Sequence, residues 1–394
     1  MINRGELNSP FQFWEQGYNP CPNEDLMLFS VLLIALLASA WVSNKLSAGA
    51  SARRTYAGFL WSLILGFAVT GWWFLRRYHA IPSPSLWQLM ALVFHDVCFT
   101  FPLIVTGMYA GVMLALKRKG ERQHVPTFLS ATILLAIPLG LMAIGIYASR
   151  IEPNQIEVTR IDLESPKVKG PIKIVHLTDL HMEKFGRREK KALRLVKEED
   201  PDLIVLTGDY TNSLEKSADV QRFMKELHAK YGVYAVHGNW NPREKAKKFF
   251  ERTDVRVLDD RSTAVRTPMG RVSVAGIFWY SFRHPGAALA NVNPRNSYVI
   301  LLSHMPDAAL HAPPSVDLIL AGHTHGGQVR LPGIGPVVTF SGVGRAKSAG
   351  LSKLESGGYL YVNRGLGMEG GGAPRIRFCC RPEVAVITIR PSEQ

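Results

Sequence analysis

"IKIVHLTDLHMEK" occupies residues 172–184 and changes character halfway along. Ile172 to Leu177 is rich in apolar and β-branched residues and stops at Thr178, which reads as a strand. Asp179 and His181 then fall on the loop leaving that strand, where α/β folds place their ligands. An Asp-x-His lets a carboxylate and an imidazole converge on one point, yet a single such loop says little.

The arrangement recurs along the chain. "PDLIVLTGDY" (201–210) carries Asp209 at its tip, "GVYAVHGNW" (232–240) Asn239, "SYVILLSHMP" (297–306) His304, and "VDLILAGHTH" (316–325) His323 and His325. Histidines that merely fill a core would not be confined to strand exits. Asp179, His181, Asp209, Asn239, His304, His323 and His325 supply two carboxylates, one amide oxygen and four imidazoles. That set is too large for one tetrahedral ion and has no thiolate, against a structural zinc site. Two divalent ions sharing one carboxylate fit the count, and mixed N and O ligation suits manganese first, with iron or zinc as alternatives. Such a pair clamps a phosphoryl group and lowers the pKa of a bound water, so the chemistry indicated is phosphoester hydrolysis. Asp209, Asn239 and His323 are read as its catalytic residues. Gly322, Gly326 and Gly327 are read as a tight turn that leaves room for substrate above the metals.

Outward from this constellation, 394 residues exceed one ordinary core, and a composition shift near residue 150 marks a boundary. Before it lie four long apolar runs: Leu26–Val42, Ala57–Leu75, one within Leu86–Leu116, and Phe128–Ala148. Each approaches the ~20 residues needed to cross a bilayer. The expected organisation is a tail over 1–25, a four-helix transmembrane region over 26–148, a linker over 149–170 and a catalytic domain over 171–394. His95 and Asp96 interrupt the third run, and the span is placed at Val97–Leu116 with that pair at the interface. The N-terminal tail holds Glu6, Glu15, Glu24 and Asp25 but only Arg4, which lacks the basic start of a cleaved signal peptide. Lys45, Arg53, Arg54, Lys117, Arg118, Lys119 and Arg122 lie in two loops, against Arg76 and Arg77 in the loop between. The bias puts both termini and the catalytic domain outside the cytoplasm.

The net charge of +14 follows the same division: eleven basic and six acidic residues up to 150, thirty-five and twenty-six after it. No recognition helix or aromatic-basic RNA motif accompanies the charge, so no nucleic-acid partner is expected. A surface resting on anionic lipid, or holding phosphate esters, accounts for it. "KFGRREKKALRLVK" and "PREKAKKFFER" read as helices whose basic faces are either solvated or lipid-contacting. Cys21, Cys98, Cys379 and Cys380 form no CxxC and no disulfide framework.

The order Asp-x-His, Gly-Asp, Gly-Asn, His, Gly-His-x-His resembles that of the calcineurin-like metallophosphoesterases. The resemblance covers about residues 171–394. It implies an α/β fold, a four-layer αββα sandwich of two mixed sheets flanked by helices. It implies one metal held by Asp179, His181, Asp209 and His325, and a second by Asp209, Asn239, His304 and His323. "GHTHGGQVRLPGIGP" and the tail "NRGLG" through "APRIRF" to "RPEV" look like the branch containing membrane-attached bacterial phosphoesterases. Two departures stand out. The family usually reads Gly-Asn-His-Asp or Gly-Asn-His-Glu, where this chain has Gly238-Asn239-Trp240-Asn241, so a phosphate-contacting histidine and candidate general acid is missing. A good leaving group, or His237 acting instead, would make up for it. The family's Gly-Asp-x-x-Asp is here "GDYTN", ending on Asn212, and that change is discounted because the second aspartate is no metal ligand. Trp240 is expected as an apolar wall beside the metals or a loop anchor. Arg364 and Arg375 are expected either to meet a substrate phosphate or to serve packing.

These readings converge on a phosphoesterase in the bacterial plasma membrane, cutting a phosphodiester or pyrophosphate in a lipid or lipid-linked substrate. Cleavage of UDP-2,3-diacylglucosamine, known within the resembling branch, would require a cytoplasm-facing site and conflicts with the orientation above. The competing readings are a metal-binding pseudoenzyme that senses a phosphorylated ligand and, for the helical half, a transport role.

Overall fold

The computed structural model describes residues 93–107, 109–110, 128–241, 243–369 and 375–392. The chain divides into two compact units, one comprising Met1–Ala148 with Gly372–Pro374, the other Ser149–Gly371 with Arg375–Gln394.

In the first unit, the runs expected to span the membrane at Leu26–Val42 and Ala57–Leu75 lie outside the described residues. The third shows as an apolar helix over Val93–Gly107. His95 and Asp96 sit within that helix, which is already under way at Val93, not at the start of a span beginning at Val97. The fourth shows as a helix over Phe128–Ile146. Among the described residues one stretch, Leu135–Asn154, is long and apolar enough to cross a membrane.

The second unit holds two six-stranded mixed sheets. The first has strands β1 (Glu157–Ser165), β2 (Ile172–Leu177), β3 (Leu203–Leu206), β4 (Val233–Ala235) and β5 (Val255–Val257). The second has β6 (Arg261–Thr267), β7 (Gly270–Gly276), β8 (Tyr298–Leu302) and β9 (Leu318–Ala321). A two-stranded hairpin follows, β10 (Arg330–Leu331) and β11 (Gly335–Pro336), then β12 (Gly350–Lys353), β13 (Tyr359–Val362) and β14 (Glu383–Pro391). The first sheet runs β1-β14-β2-β3-β4-β5 and the second β12-β13-β9-β8-β7-β6. β2 to β5 are parallel to one another, as are β7, β8, β9 and β13. β14 runs antiparallel to β2 and parallel to β1.

The side-chain period of two sorts each strand between layers. Ile172 and Ile174 of β2, Leu203 and Val205 of β3, and Ile300 and Leu302 of β8 enter the core between the sheets. Val175, Leu177, Ile204 and Leu206 face the other way, onto helices α1 (Arg187–Glu198), α2 (Ser217–Lys225) and α3 (Arg243–Phe250). The outer face of the second sheet, with Val299, Leu301 and Ile319, is covered by the short helix α4 (Gly286–Leu289) and neighbouring turns. Parallel strands covered on both faces are near-continuously apolar, which is why the runs before each ligand lack polar alternation. α1 starts at Gly186, whose N–H donates to Glu189 Oε2 at 2.9 Å, and buries Ala192 and Val196 one turn apart.

Residues 149–170, read from sequence as a linker, contain β1. "EVTRIDLES" carries polar residues throughout because β1 is an edge strand with one covered flank, and its apolar content is too low to announce it.

Candidate metal centre

β2, β3, β4, β8 and β9 all deliver their C-terminal ends to one place. Asp179, Asp209, His304 and His325 are buried there, each no more than 3% exposed. The backbone turns sharply to achieve it: Asp179, His181, Asp209, His323 and His325 have φ of 48°, 37°, 54°, 69° and 50°. Left-handed backbone disfavours most side chains, and Asp and His are among the residues that adopt it more readily. Strain concentrated in this way is held by its surroundings. A Cβ on Gly322 would lie 2.1 Å from Thr178 Oγ1 and 2.2 Å from Asp179 Oδ2, and one on Gly238 would lie 2.1 Å from Asp209 Oδ1. The glycines of the final ligand turn thus serve close packing beneath the rim, not open space above it. For Gly326 and Gly327 the obstacles are Arg364 and Pro336.

All seven residues expected as metal ligands come together. His325 Nε2 is 3.1 Å from His181 Nε2 and 3.4 Å from Asp179 Oδ1. His181 Nε2 is 3.7 Å from Asp209 Oδ2. His304 Nε2 lies 2.8 Å from Asn239 Oδ1, 3.2 Å from Asp209 Oδ2 and 3.2 Å from His323 Nδ1. Two clusters result, Asp179–His181–His325 and Asp179–Asp209–His304, and each can hold an ion. They share Asp179, while Asp209 also reaches toward both.

The donor chemistry fits divalent cations. His181 Nδ1 faces Asn212 Oδ1 at 2.6 Å, so that nitrogen carries the proton and Nε2 presents a lone pair. His304 Nδ1 donates to the Thr207 carbonyl at 2.7 Å, which orients its Nε2 likewise. Carboxylate, amide and imidazole acceptors then crowd one another, with His304 Nε2 against both Asp209 Oδ2 and Asn239 Oδ1. Burial lowers His181 to about 4, against the pull of Asp209. Burial, reinforced by His304, lowers His323 to about 4. Neither ring is the charged imidazolium near neutrality, so each keeps one nitrogen lone pair. For His304 burial works the same way, but the charge and hydrogen bond of Asp209 outweigh it and raise the ring to about 9. A cation in the cluster would take the place of that proton.

Trp240 takes the position the resemblance assigns to histidine. Its backbone N–H donates to Asp209 Oδ1 at 3.0 Å, and its ring stands edge-on to His181 with centroids 5.8 Å apart. Its indole also hydrogen-bonds the carboxylate of Glu369. Glu369 was not foreseen: it lies in "MEGGG", where nothing in the spacing marks it. Burial raises its carboxyl to about 7, helped by the charges of Asp209 and Asp179. Asn212, discounted on sequence, orients His181. Asn241 was also missed, and its Oδ1 accepts from the Tyr210 and Thr211 N–H groups and braces the Asp209 loop.

The two arginines expected either to meet a substrate phosphate or to serve packing both have acidic partners in the fold. Arg364 donates to Glu383 at 3.2 Å and to Glu157 at 3.0 Å, so its guanidinium closes the β1–β14 edge. Arg375 ion-pairs with Glu183. The buried guanidinium at this end belongs to Arg377, which donates to the carbonyls of Arg364, Gly365, Gly367 and Cys380 and ties down the loop beneath Asp179.

Residues 172–327 match the calcineurin-like phosphoesterase family. The chain is 30% identical over 260 residues to an uncharacterized metallophosphoesterase, YkuE, of Bacillus subtilis, covering 62% of this chain and 89% of the relative. It is 32% identical over 259 residues to phosphodiesterase YaeI of Escherichia coli, with 62% and 92% covered. It is 27% identical over 323 residues to UDP-2,3-diacylglucosamine pyrophosphatase LpxG of Chlamydia trachomatis, with 66% and 95% covered.

Proposed function

The chain belongs to the calcineurin-like phosphoesterases and is a metal-dependent phosphoric ester hydrolase, and on that premise we propose that it cleaves a phosphodiester or pyrophosphate bond in a lipid-linked substrate. The observation that carries the reading is the convergence of seven acceptor side chains from five strand ends, with the ring protons of His304 and His181 turned outward onto Thr207 and Asn212. Divalent ions held by these residues, manganese first, would lower the pKa of a bound water so that hydroxide is available at neutral pH, and would offset negative charge on the phosphate oxygens.

The protein's own groups do the positioning. Asp179, His181, Asp209 and His325 form one half of the nest, and Asp209, Asn239, His304 and His323 the other. Trp240 walls one side and fixes Asp209 through its backbone N–H. An indole donates a hydrogen bond but no titrating proton, so leaving-group protonation falls to another group or is not needed, as for a nucleotide phosphate. Arg375, paired with Glu183, is the arginine we assign to a substrate phosphate. The relative named for UDP-2,3-diacylglucosamine cleavage supports a lipid-linked pyrophosphate as the substrate class.

We place the protein in the bacterial plasma membrane through several apolar helices, with the catalytic unit outside the cytoplasm. A nucleotide-sugar substrate demands the opposite face, so protease sensitivity of the catalytic unit in intact against permeabilised cells separates a UDP-linked substrate from an envelope phospholipid.

The direct test uses detergent-purified protein with Mn²⁺ and bis(p-nitrophenyl) phosphate. Metal-dependent turnover is expected in the wild type, with losses of at least ~10²-fold in Asp209→Asn and His323→Ala. Equal background rates in all three would sink the reading in favour of a metal-binding sensor, the alternative that Trp240 motivates.

A further inference from the structure

Immediately after the last metal-ligand turn, the chain exposes apolar side chains that a soluble surface does not need. Leu331 is 40% exposed, Ile334 65%, Val337 45% and Phe340 51%. Isolated exposed apolar residues are ordinary, but four within ten positions of the chain are of the kind that marks an interaction surface. β10 and β11 carry it as a hairpin, pairing Arg330 with Pro336 and Leu331 with Gly335, with Ile334 near the tip. The hairpin is rooted on the metal rim at both ends. Pro336 packs against Gly327, two residues past His325, and the Phe340 backbone hydrogen-bonds the His323 ring.

Charge says what the strip faces. From Gln328 to Lys353 there are four basic residues, Arg330, Arg345, Lys347 and Lys353, and no acidic one. Arg345 donates to the Ile334 carbonyl at 3.2 Å, which sets a cation against the apolar tip. The acidic group facing this segment, Asp307, is occupied by the Ser341 hydroxyl and the Gly342 N–H. Apolar side chains flanked by cations match the boundary between acyl chains and anionic headgroups, and a separate protein partner would leave the missing acidic residues unexplained. The same chain carries the apolar helix Leu135–Asn154 ahead of this unit, so a bilayer is within covalent reach.

We propose that the Leu331–Phe340 strip is a bilayer-docking edge: Leu331, Ile334, Val337 and Phe340 enter the interfacial layer, Arg345 and Lys347 meet lipid phosphates, and a lipid-linked phosphate reaches the metal rim along the membrane surface. The last clause rests on the lipid-linked substrate proposed above; the docking itself does not.

The experiment places an environment-sensitive nitrobenzoxadiazole label on full-length Ile334→Cys reconstituted in nanodiscs of phosphatidylcholine and phosphatidylglycerol, with doxyl-labelled lipid as quencher. Arg295→Cys, at an exposed site outside the strip, is the control. Wild type carried through the same labelling gives the background from native cysteines, and circular dichroism checks the fold of each variant. At least threefold more quenching at 334 than at 295 is expected, falling by half or more in pure phosphatidylcholine. Equal quenching at the two sites overturns the docking edge, and quenching indifferent to phosphatidylglycerol overturns the roles of Arg345 and Lys347. Concentration-dependent self-quenching in detergent without doxyl quenching in discs assigns the strip to a second copy of the chain instead. Quenching requires no turnover, so a chain that docks yet cleaves no lipid phosphate sinks the substrate reading alone, and lipid cleavage without quenching sinks the docking edge alone.

Discussion

Asn212 shows how a residue that binds nothing can govern what its neighbour binds. Its Oδ1 holds the proton of His181 on Nδ1, and its amide nitrogen reaches the carbonyls of His181 and Met368 at 3.4 and 3.3 Å. Without that acceptor the ring is free to take the other tautomer, which points N–H at the metal. Asn212→Ala is expected to weaken metal binding ~10- to 100-fold with little change in fold, and Asn212→Asp to restore it. Calorimetric titration of the metal-free protein with Mn²⁺ measures both, and unchanged affinity in Asn212→Ala would refute the role. The seven side chains that we propose as metal ligands were legible in sequence because each follows an apolar run. Asn212, Asn241, Glu369 and Arg377 were not, because their partners are backbone groups or side chains brought near by folding, and no spacing rule encodes such meetings.

At the scale of elements, β2 carries a liability in its interior. His176 is fully buried, with Nε2 on the Thr207 hydroxyl at 2.8 Å and its ring edge-on to Tyr361. Burial lowers its pKa to about 3, against the weaker pull of Glu383. A folded-state value below the unfolded one near 6.5 means its contribution to stability is present above pH 6.5 and lost as pH falls toward 3. Between pH 6.5 and 4 the loss amounts to roughly 3 kcal/mol. His176→Phe is expected to remove that share of the acid sensitivity, read as a smaller drop in urea midpoint across this range for metal-free protein. An identical drop in both proteins would show that the ring ionises freely. The strands that end in the proposed metal ligands were readable because both faces are buried. β1 and β5 resisted reading, the first for its polar edge and the second because three residues hold too little pattern.

For the whole molecule, the metal centre is where the second unit spends stability. Five side chains in left-handed backbone and two carboxylates crowded by acceptors are tolerable when cations bind them together. Ions present at about a thousand times their dissociation constant stabilise the folded state by roughly 4 kcal/mol. Chelation should therefore lower the melting temperature of this unit by about 10 °C, with Mn²⁺ restoring it. Scanning calorimetry of the protein with and without chelator decides this, and an unchanged melting temperature would mean that the ions contribute nothing to the fold.

The place of β14 has a consequence in time. It lies between β1 and β2, pairing Glu383 with Glu157 on one side and Ile389 with Ile172 on the other. While the polypeptide is being synthesised, the first sheet keeps a gap one strand wide until Pro391 has left the ribosome. The loop carrying Asp179 and His181 hangs from the strand beside that gap. Hydrolytic competence therefore begins only after translation has passed the last strand, and a stalled or prematurely ended chain would hold the Asp179 loop beside an open gap without cutting phosphate esters.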